Sequence, residues 1–305
     1  MLAALAISAV ATATASAEAP EFGRCVKKAV KGGSGFYDAK CAEAVSSEAR
    51  YEWQPGPGSK AKFKSEARFV LTLKDQVCLK WQTLLGEGKT AEAEALLAKH
   101  HYTAKECEET LAANGGKGEA LEPAVLETVT GERVECSGVS ATGEYTSAKT
   151  VSLDSTFTGC EIERFGVTAP CTSTGAGSGE IVDFALEGVV GLIKKESLPT
   201  SSTAGIALSA PGGTIAELEC GPFFGITGKV VVTGSVIHQV TTNKMLLEET
   251  EKFTQSKGLQ KPENFDGGPP AVLESSLNGE KAVQAGEGLL TKLINEEKIE
   301  LSTVN

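Results

Sequence analysis

The chain has 305 residues, of which 41% are hydrophobic and 23% charged, and it holds 34 glycines and only 2 methionines. That length can bury one large or two modest cores, and the composition excludes a disordered chain and a helical membrane protein, since no apolar run approaches 18 residues. Its 29 basic and 40 acidic residues leave a net charge of −11, which argues against a nucleic-acid backbone or an anionic lipid surface as principal partner. The imbalance is local: residues 18–122 carry 16 basic and 16 acidic side chains, residues 123–305 carry 13 and 24. The acidic surface reads as a solvated face rather than a cation site.

Residues 1–17, MLAALAISAVATATASA, join an apolar stretch to a small-residue run ending Ala15-Ser16-Ala17. They are read as a secretory signal peptide, although no Lys or Arg precedes the apolar part, and a secreted, extracellular location is expected. Phe22-Gly23-Arg24 before Cys25 does not fit a lipoprotein site, so neither a lipid anchor nor membrane insertion is expected.

Eight cysteines follow: Cys25, Cys41, Cys78, Cys107, Cys136, Cys160, Cys171 and Cys220. An even count in an exported chain, without C-x-x-C or zinc spacing, points to disulfides and to no metal or other cofactor. Local pairing predicts Cys25 with Cys41, Cys78 with Cys107 and Cys160 with Cys171, leaving Cys136 for Cys220.

Residues 18–59 read as a loop-rich module closed by a disulfide, with turns at Gly32-Gly33 and Pro55-Gly56-Pro57-Gly58 and with Phe36, Tyr37, Tyr51 and Trp53 as its core. Residues 60–122 read as a helical insert, with the helical pattern running from about Ser65 to Ala113. Val70, Leu73, Val77, Trp81 and Leu84 share a helix face that Gly86 terminates, a second helix starts near Thr90, and Thr103 with Glu106 forms a capping box for a third.

Residues 123–305 read as an antiparallel β domain of around ten strands. AVLETV and ERVEC flank a Thr130-Gly131 turn, residues 150–157 alternate, and Asn278-Gly279 between apolar runs signals a hairpin. No helices long enough for βαβ crossovers intervene, so a mainly β fold is expected, as a sandwich or a closed barrel.

No catalytic motif survives inspection. Gly88-Lys89-Thr90 lacks the glycine that a phosphate loop needs, since Thr83 stands there, and GPFFGITGK over 221–229 has Phe223 and Val230 in place of required residues. Gly175-Ala176-Gly177-Ser178-Gly179 is out of order for a nucleophile elbow. His100 and His101 are poorly placed to share one metal ion and suit a helix C-terminus, while His238 in GSVIHQV has no identifiable serine partner. Glu248, Glu249, Glu251, Glu296 and Glu297 read as solvent-facing carboxylates rather than the acid and base of a glycosidase, and Asp266 lacks the ligand spacing of a calcium loop.

The succession PEFGRCVK, YEWQPG, TGEYTSAKTV, FTGCE, GEIVDFALEGVVG, NKMLL, QKPENFDGGPPAVLESSLNG and NEEKIELSTV resembles an uncharacterised secreted family of soil actinobacteria. The resemblance covers most of the chain outside the helical insert and implies an exported, β-rich protein without an assigned activity. The expectation is a secreted, disulfide-stabilised, non-enzymatic binding or structural protein, with an extracellular protein or a small molecule as partner. The alternatives are a small-ligand-binding barrel, recognisable by an enclosed apolar cavity, and a hydrolase with a site gathered from distant strands.

Overall fold

Alternation of apolar and polar residues builds almost the whole fold of the computed structural model, which describes residues 20–304 except 42, 69–72, 114–122, 165 and 184. The proposed signal peptide lies outside the described residues. The N-terminal module contributes β1 (Glu21–Lys27), β2 (Gly35–Phe36), β3 (Ala44–Val45) and β4 (Tyr51–Pro55), followed by β5 (Lys62–Arg68). Three helices come next, α1 (Leu73–Gly86), α2 (Thr90–His100) and α3 (Ala104–Ala113). The rest is strand: β6 (Ala124–Thr128), β7 (Arg133–Tyr145), β8 (Thr150–Arg164), β9 (Val167–Ser173), β10 (Ile181–Val182), β11 (Leu186–Lys194), β12 (Thr203–Phe223), β13 (Ile226–Val240), β14 (Leu246–Ser256), β15 (Leu259–Lys261), β16 (Leu273–Leu277) and β17 (Val283–Ser302).

The antiparallel pairings close into a ring, which decides between the sandwich and the barrel. β17 pairs with β5 and β6, both pair with β7, and β7 pairs with β8. From there β8 meets β9, β10 and β11, β12 follows β9 and β11, and β13 follows β12. Finally β13 meets β14 and β16, both of which return to β17. Among the described residues the ring closes without a terminal edge strand, although β17 leaves β16 at Ala285 and meets β14 only at Leu289. Several staves are long, and the 21-residue β12 shifts register against β13 between Ser209 and Thr214, as at a bulge.

The alternation sets what faces inward. On β7, Val134, Cys136, Val139, Ala141 and Tyr145 are buried, while Arg133, Glu135, Thr142 and Glu144 are exposed. β8 repeats the pattern, with Val151, Ser155, Cys160 and Ile162 inside and Asp154, Glu161 and Glu163 outside. An apolar inside and a charged outside reverse the polarity of a lipid-facing barrel. Among the described residues no helix is long and apolar enough to cross a membrane.

The hairpins follow their turn chemistry. Asn278 and Gly279 take φ of 50° and 76°, the left-handed pair that a tight two-residue β-turn needs. In the helices Thr103 and Glu106 form the expected capping box: the Glu106 carboxylate accepts from the Thr103 N–H at 2.8 Å, and the Glu106 N–H donates to the Thr103 hydroxyl at 3.2 Å. The helices bury a small core of their own around Val77, Trp81, Ala93, Leu97 and Leu111. Residues 62–68, read from sequence as the beginning of the helical insert, instead form β5 and complete the ring between β17 and β7.

The disulfides agree with the sequence at Cys25–Cys41 and Cys78–Cys107 and correct it elsewhere: the remaining bridges are Cys136–Cys160 and Cys171–Cys220. The reason is register. Cys136 lies opposite Cys160 across β7 and β8, Cys171 lies opposite Cys220 across β9 and β12, and the β8–β9 register runs on to set Cys160 beside Cys171. The four cysteines thus form one row over four neighbouring staves. Bridging the inner pair would strand Cys136 and Cys220 three strand spacings apart, about 14 Å, twice what a disulfide spans.

Candidate functional site

The inside of the barrel holds a cavity of about 120 Å³. Its wall is mostly apolar, from Val139, Ile206, Val236, Phe253 and Leu289, but polar side chains enter it from several staves. At one end the N-terminal module supplies the stopper. Phe22, 2% exposed, packs edge-on against Tyr145 at 4.7 Å between ring centroids. It is held by its N–H donating to the Ala148 carbonyl and by its own carbonyl accepting from Gly56. Phe63 of β5 also packs on Tyr145, tilted, at 5.0 Å.

Below this stopper lies the first polar group. His238 is buried on β13, sharing its face with Val236 and Val240. Its Nε2 is 3.1 Å from Glu251 Oε1 on β14, with the ring tilted over Phe253 at 4.5 Å. That contact is close enough for an ion pair but is not aligned as a hydrogen bond, and both ring nitrogens lack a hydrogen-bond partner. The other Glu251 oxygen accepts from the Thr291 hydroxyl at 3.0 Å. Glu249, two residues earlier on the same inward face, is pushed up to about 7 by burial first and by the neighbouring Glu251 second, a backbone hydrogen bond from Thr241 acting in the opposite sense. Tyr145 donates to Asn295 at 2.8 Å, and burial, then Glu249 and Glu251, hold its phenol well above the usual tyrosine range.

A second polar group lies further along the barrel. Asp183 accepts a 2.6 Å bond from the Ser155 hydroxyl, and burial raises its carboxyl to about 7 against the pull of that bond. Glu287 on β17 is raised to about 8, by burial and then by Asp183. The backbone of Glu287 sits where the barrel wall has a gap between β14 and β16, and the Gln260 side chain fills it. The Glu287 N–H donates to Gln260 Oε1 at 2.7 Å, while Gln260 Nε2 donates to the Thr254 carbonyl at 2.9 Å. Gly258 makes this fit possible. It has φ of 77°, and a Cβ there would collide with the Thr128–Val129 backbone. Between the two groups, Ser65 of β5 is buried with an unpartnered hydroxyl and also lines the cavity.

The residues weighed from sequence are thus sorted by the fold. His238, Glu249 and Glu251 come together inside the barrel, which corrects the reading of Glu249 and Glu251 as solvent-facing. Glu248 stays outside, paired with Lys292. His100 ends α2 and His101 takes the left-handed conformation just after it, while Glu297 lies by Arg24. Asp183, Glu287, Ser65 and Thr291 were missed. No group of His, Cys, Asp and Glu suited to a metal ion occurs among the described residues. Chemically, His238 and Glu251 are two parts of a nucleophilic relay, but no hydroxyl bonds to His238 and no described cysteine is free.

Comparison with known proteins found no matching family model, no matching curated protein and no matching solved structure.

Proposed function

We propose that the protein is an exported binding protein whose closed barrel takes up a small, slender ligand, and that it belongs with the secreted actinobacterial proteins its sequence resembles. The observation that carries this reading is an apolar cavity lined by residues with fully buried polar atoms that lack a hydrogen-bond partner, the Ser65 hydroxyl and His238 Nδ1. A buried polar group without a partner costs about 1–3 kcal/mol, a cost that a ligand bonding to it removes. The volume sets the ligand's size, since a cavity of roughly 150 Å³ admits benzene and drug-sized ligands need roughly 300 Å³ or more.

Four disulfides fit an oxidising environment, and two of them tie four neighbouring staves in pairs, β7 to β8 and β9 to β12. The experiment is a thermal shift with a panel of molecules of benzene to hexylamine size. A ligand at a hundred times its dissociation constant adds about 2.7 kcal/mol to stability, so binders raise the melting temperature by several degrees. A panel without effect, at concentrations up to the solubility limit, would refute a binding cavity.

A further inference from the structure

The polar groups in the cavity are not scattered. Glu249, Glu251 and His238 form one pole with Thr291, and Asp183 and Glu287 form the other with Ser155. Thr291 and Glu287 both line the cavity from β17, four residues apart, a backbone rise of about 13 Å along the strand. The wall between them is apolar, with Leu289 midway on β17 and Phe253 opposite it on β14. Each pole therefore presents two carboxyl groups to a mostly apolar cavity, and among the described residues no lysine or arginine lines it to neutralise them. A metal ion would need its ligands gathered at one point, and no such gathering exists among the described residues.

We infer that the cavity binds a linear organic diammonium, one ammonium at Glu249 and Glu251 and the other at Asp183 and Glu287, with a methylene chain lying against Leu289 and Phe253. This deepens the reading of the barrel as a small-ligand carrier and rests on it. An ammonium brings three donors, which a pair of carboxylates can accept, and the unpartnered His238 and Ser65 atoms lie in the same cavity as further acceptors. A methylene spacer gains by burying its apolar surface against Leu289 and Phe253. Burial pushes the carboxyls of Asp183 and Glu249 up to about 7 and that of Glu287 up to about 8, so a substantial fraction of each holds its proton near neutrality. Arrival of two positive charges favours their ionised forms, so binding expels protons into solution.

Calorimetric titration of the full disulfide-bonded chain at neutral pH tests this, using diaminobutane, diaminopentane, diaminohexane and diaminooctane beside hexylamine and hexanol. The expected result is an optimum within the diamine series, with the best diamine at least tenfold tighter than hexylamine. The heat should depend on the ionisation enthalpy of the buffer in the sense of proton release. Glu287→Gln and Glu249→Gln should each reduce the best diamine to the affinity of hexylamine. Because the buffer dependence is read on the unaltered protein, the test survives a variant that does not fold. Hexylamine binding as tightly as every diamine, or diamine binding without proton release, would overturn the two-pole assignment. Binding of hexanol alone would overturn it while leaving the barrel a carrier of neutral ligands, and no binding by any probe would remove both readings.

Discussion

Glu287→Gln should stabilise the protein, and the gain should grow with pH. The wild-type carboxyl titrates near 4.5 when unfolded and near 8 when folded, so the folded state holds the proton more tightly. The stability this provides is fully present below about pH 4.5, falls as the pH rises through the interval, and is gone above about 8. In the opposite sense, ionisation in the folded barrel costs about 1.4 kcal/mol for each pH unit of separation, or about 4–5 kcal/mol in full. Glu287 is half-buried rather than sealed, so solvent screening reduces the usable figure to about 2–4 kcal/mol. Glutamine keeps the shape and cannot ionise. Its advantage should be under about 1 kcal/mol at pH 5 and about 2–4 kcal/mol at pH 8. Urea unfolding of both proteins at pH 5, 6.5 and 8, with disulfides intact, measures it. Parallel stability profiles, or a gain equal at all three values, would show that Glu287 does not face a desolvated interior. Repeating the series in high salt separates this effect from the repulsion of the net charge of −11, which salt screens and burial does not.

Phe22→Ala removes the aromatic stopper from between Tyr145 and the barrel mouth; a loss of about 3–5 kcal/mol is expected, together with faster release of any cavity ligand, read by urea midpoint and stopped-flow displacement. Gln260→Ala takes away the side chain that completes the wall at Glu287, leaves a buried N–H unpaired at a cost of about 1–3 kcal/mol, and should speed hydrogen exchange at the Glu287 amide specifically. Replacing Cys171 and Cys220 together by alanine opens a loop with a sequence separation of 49 and should cost about 4 kcal/mol on the chain-entropy estimate. A non-reducing peptide map that recovers a Cys160–Cys171 peptide instead of Cys171–Cys220 would refute the cysteine row.

How much of this could be read beforehand depends on the distance over which the signal travels. The helices, their capping box and the hairpins are written locally, in spacings of three or four and in dipeptides such as Asn278-Gly279, and local physics was enough to find them. Ring closure is not local, because β5 fills its place only by pairing with β7 on one side and, on the other, with β17, which follows it by over two hundred residues. A seven-residue segment with Lys62, Lys64 and Glu66 outside and Phe63 and Ser65 inside carries too little apolar signal to announce itself as a stave. The disulfide error has the same origin, since sequence proximity favours Cys160 with Cys171 while the girth of the ring requires each to turn outward to its other neighbour.

The site was more legible than the reading made it. Glu249 and Glu251 share a face with Phe253, Glu287 shares one with Ala285 and Leu289, and His238 lies between Val236 and Val240. In a strand, a carboxylate or imidazole in phase with buried apolar residues at two-residue spacing points to the core and not to water. Counting carboxylates as solvent-facing because they are usually solvent-facing discards that phase. Asp183 gave no such signal, because it follows a strand of two residues, too short for alternation to be defined. It is the contact with Ser155, set by the β8–β10 pairing, that turns it inward. The interior acids therefore divide by mechanism. Those on long staves are placed by periodicity and could be found from sequence, whereas Asp183 is placed by tertiary pairing alone, so the second pole becomes visible only when the ring is closed.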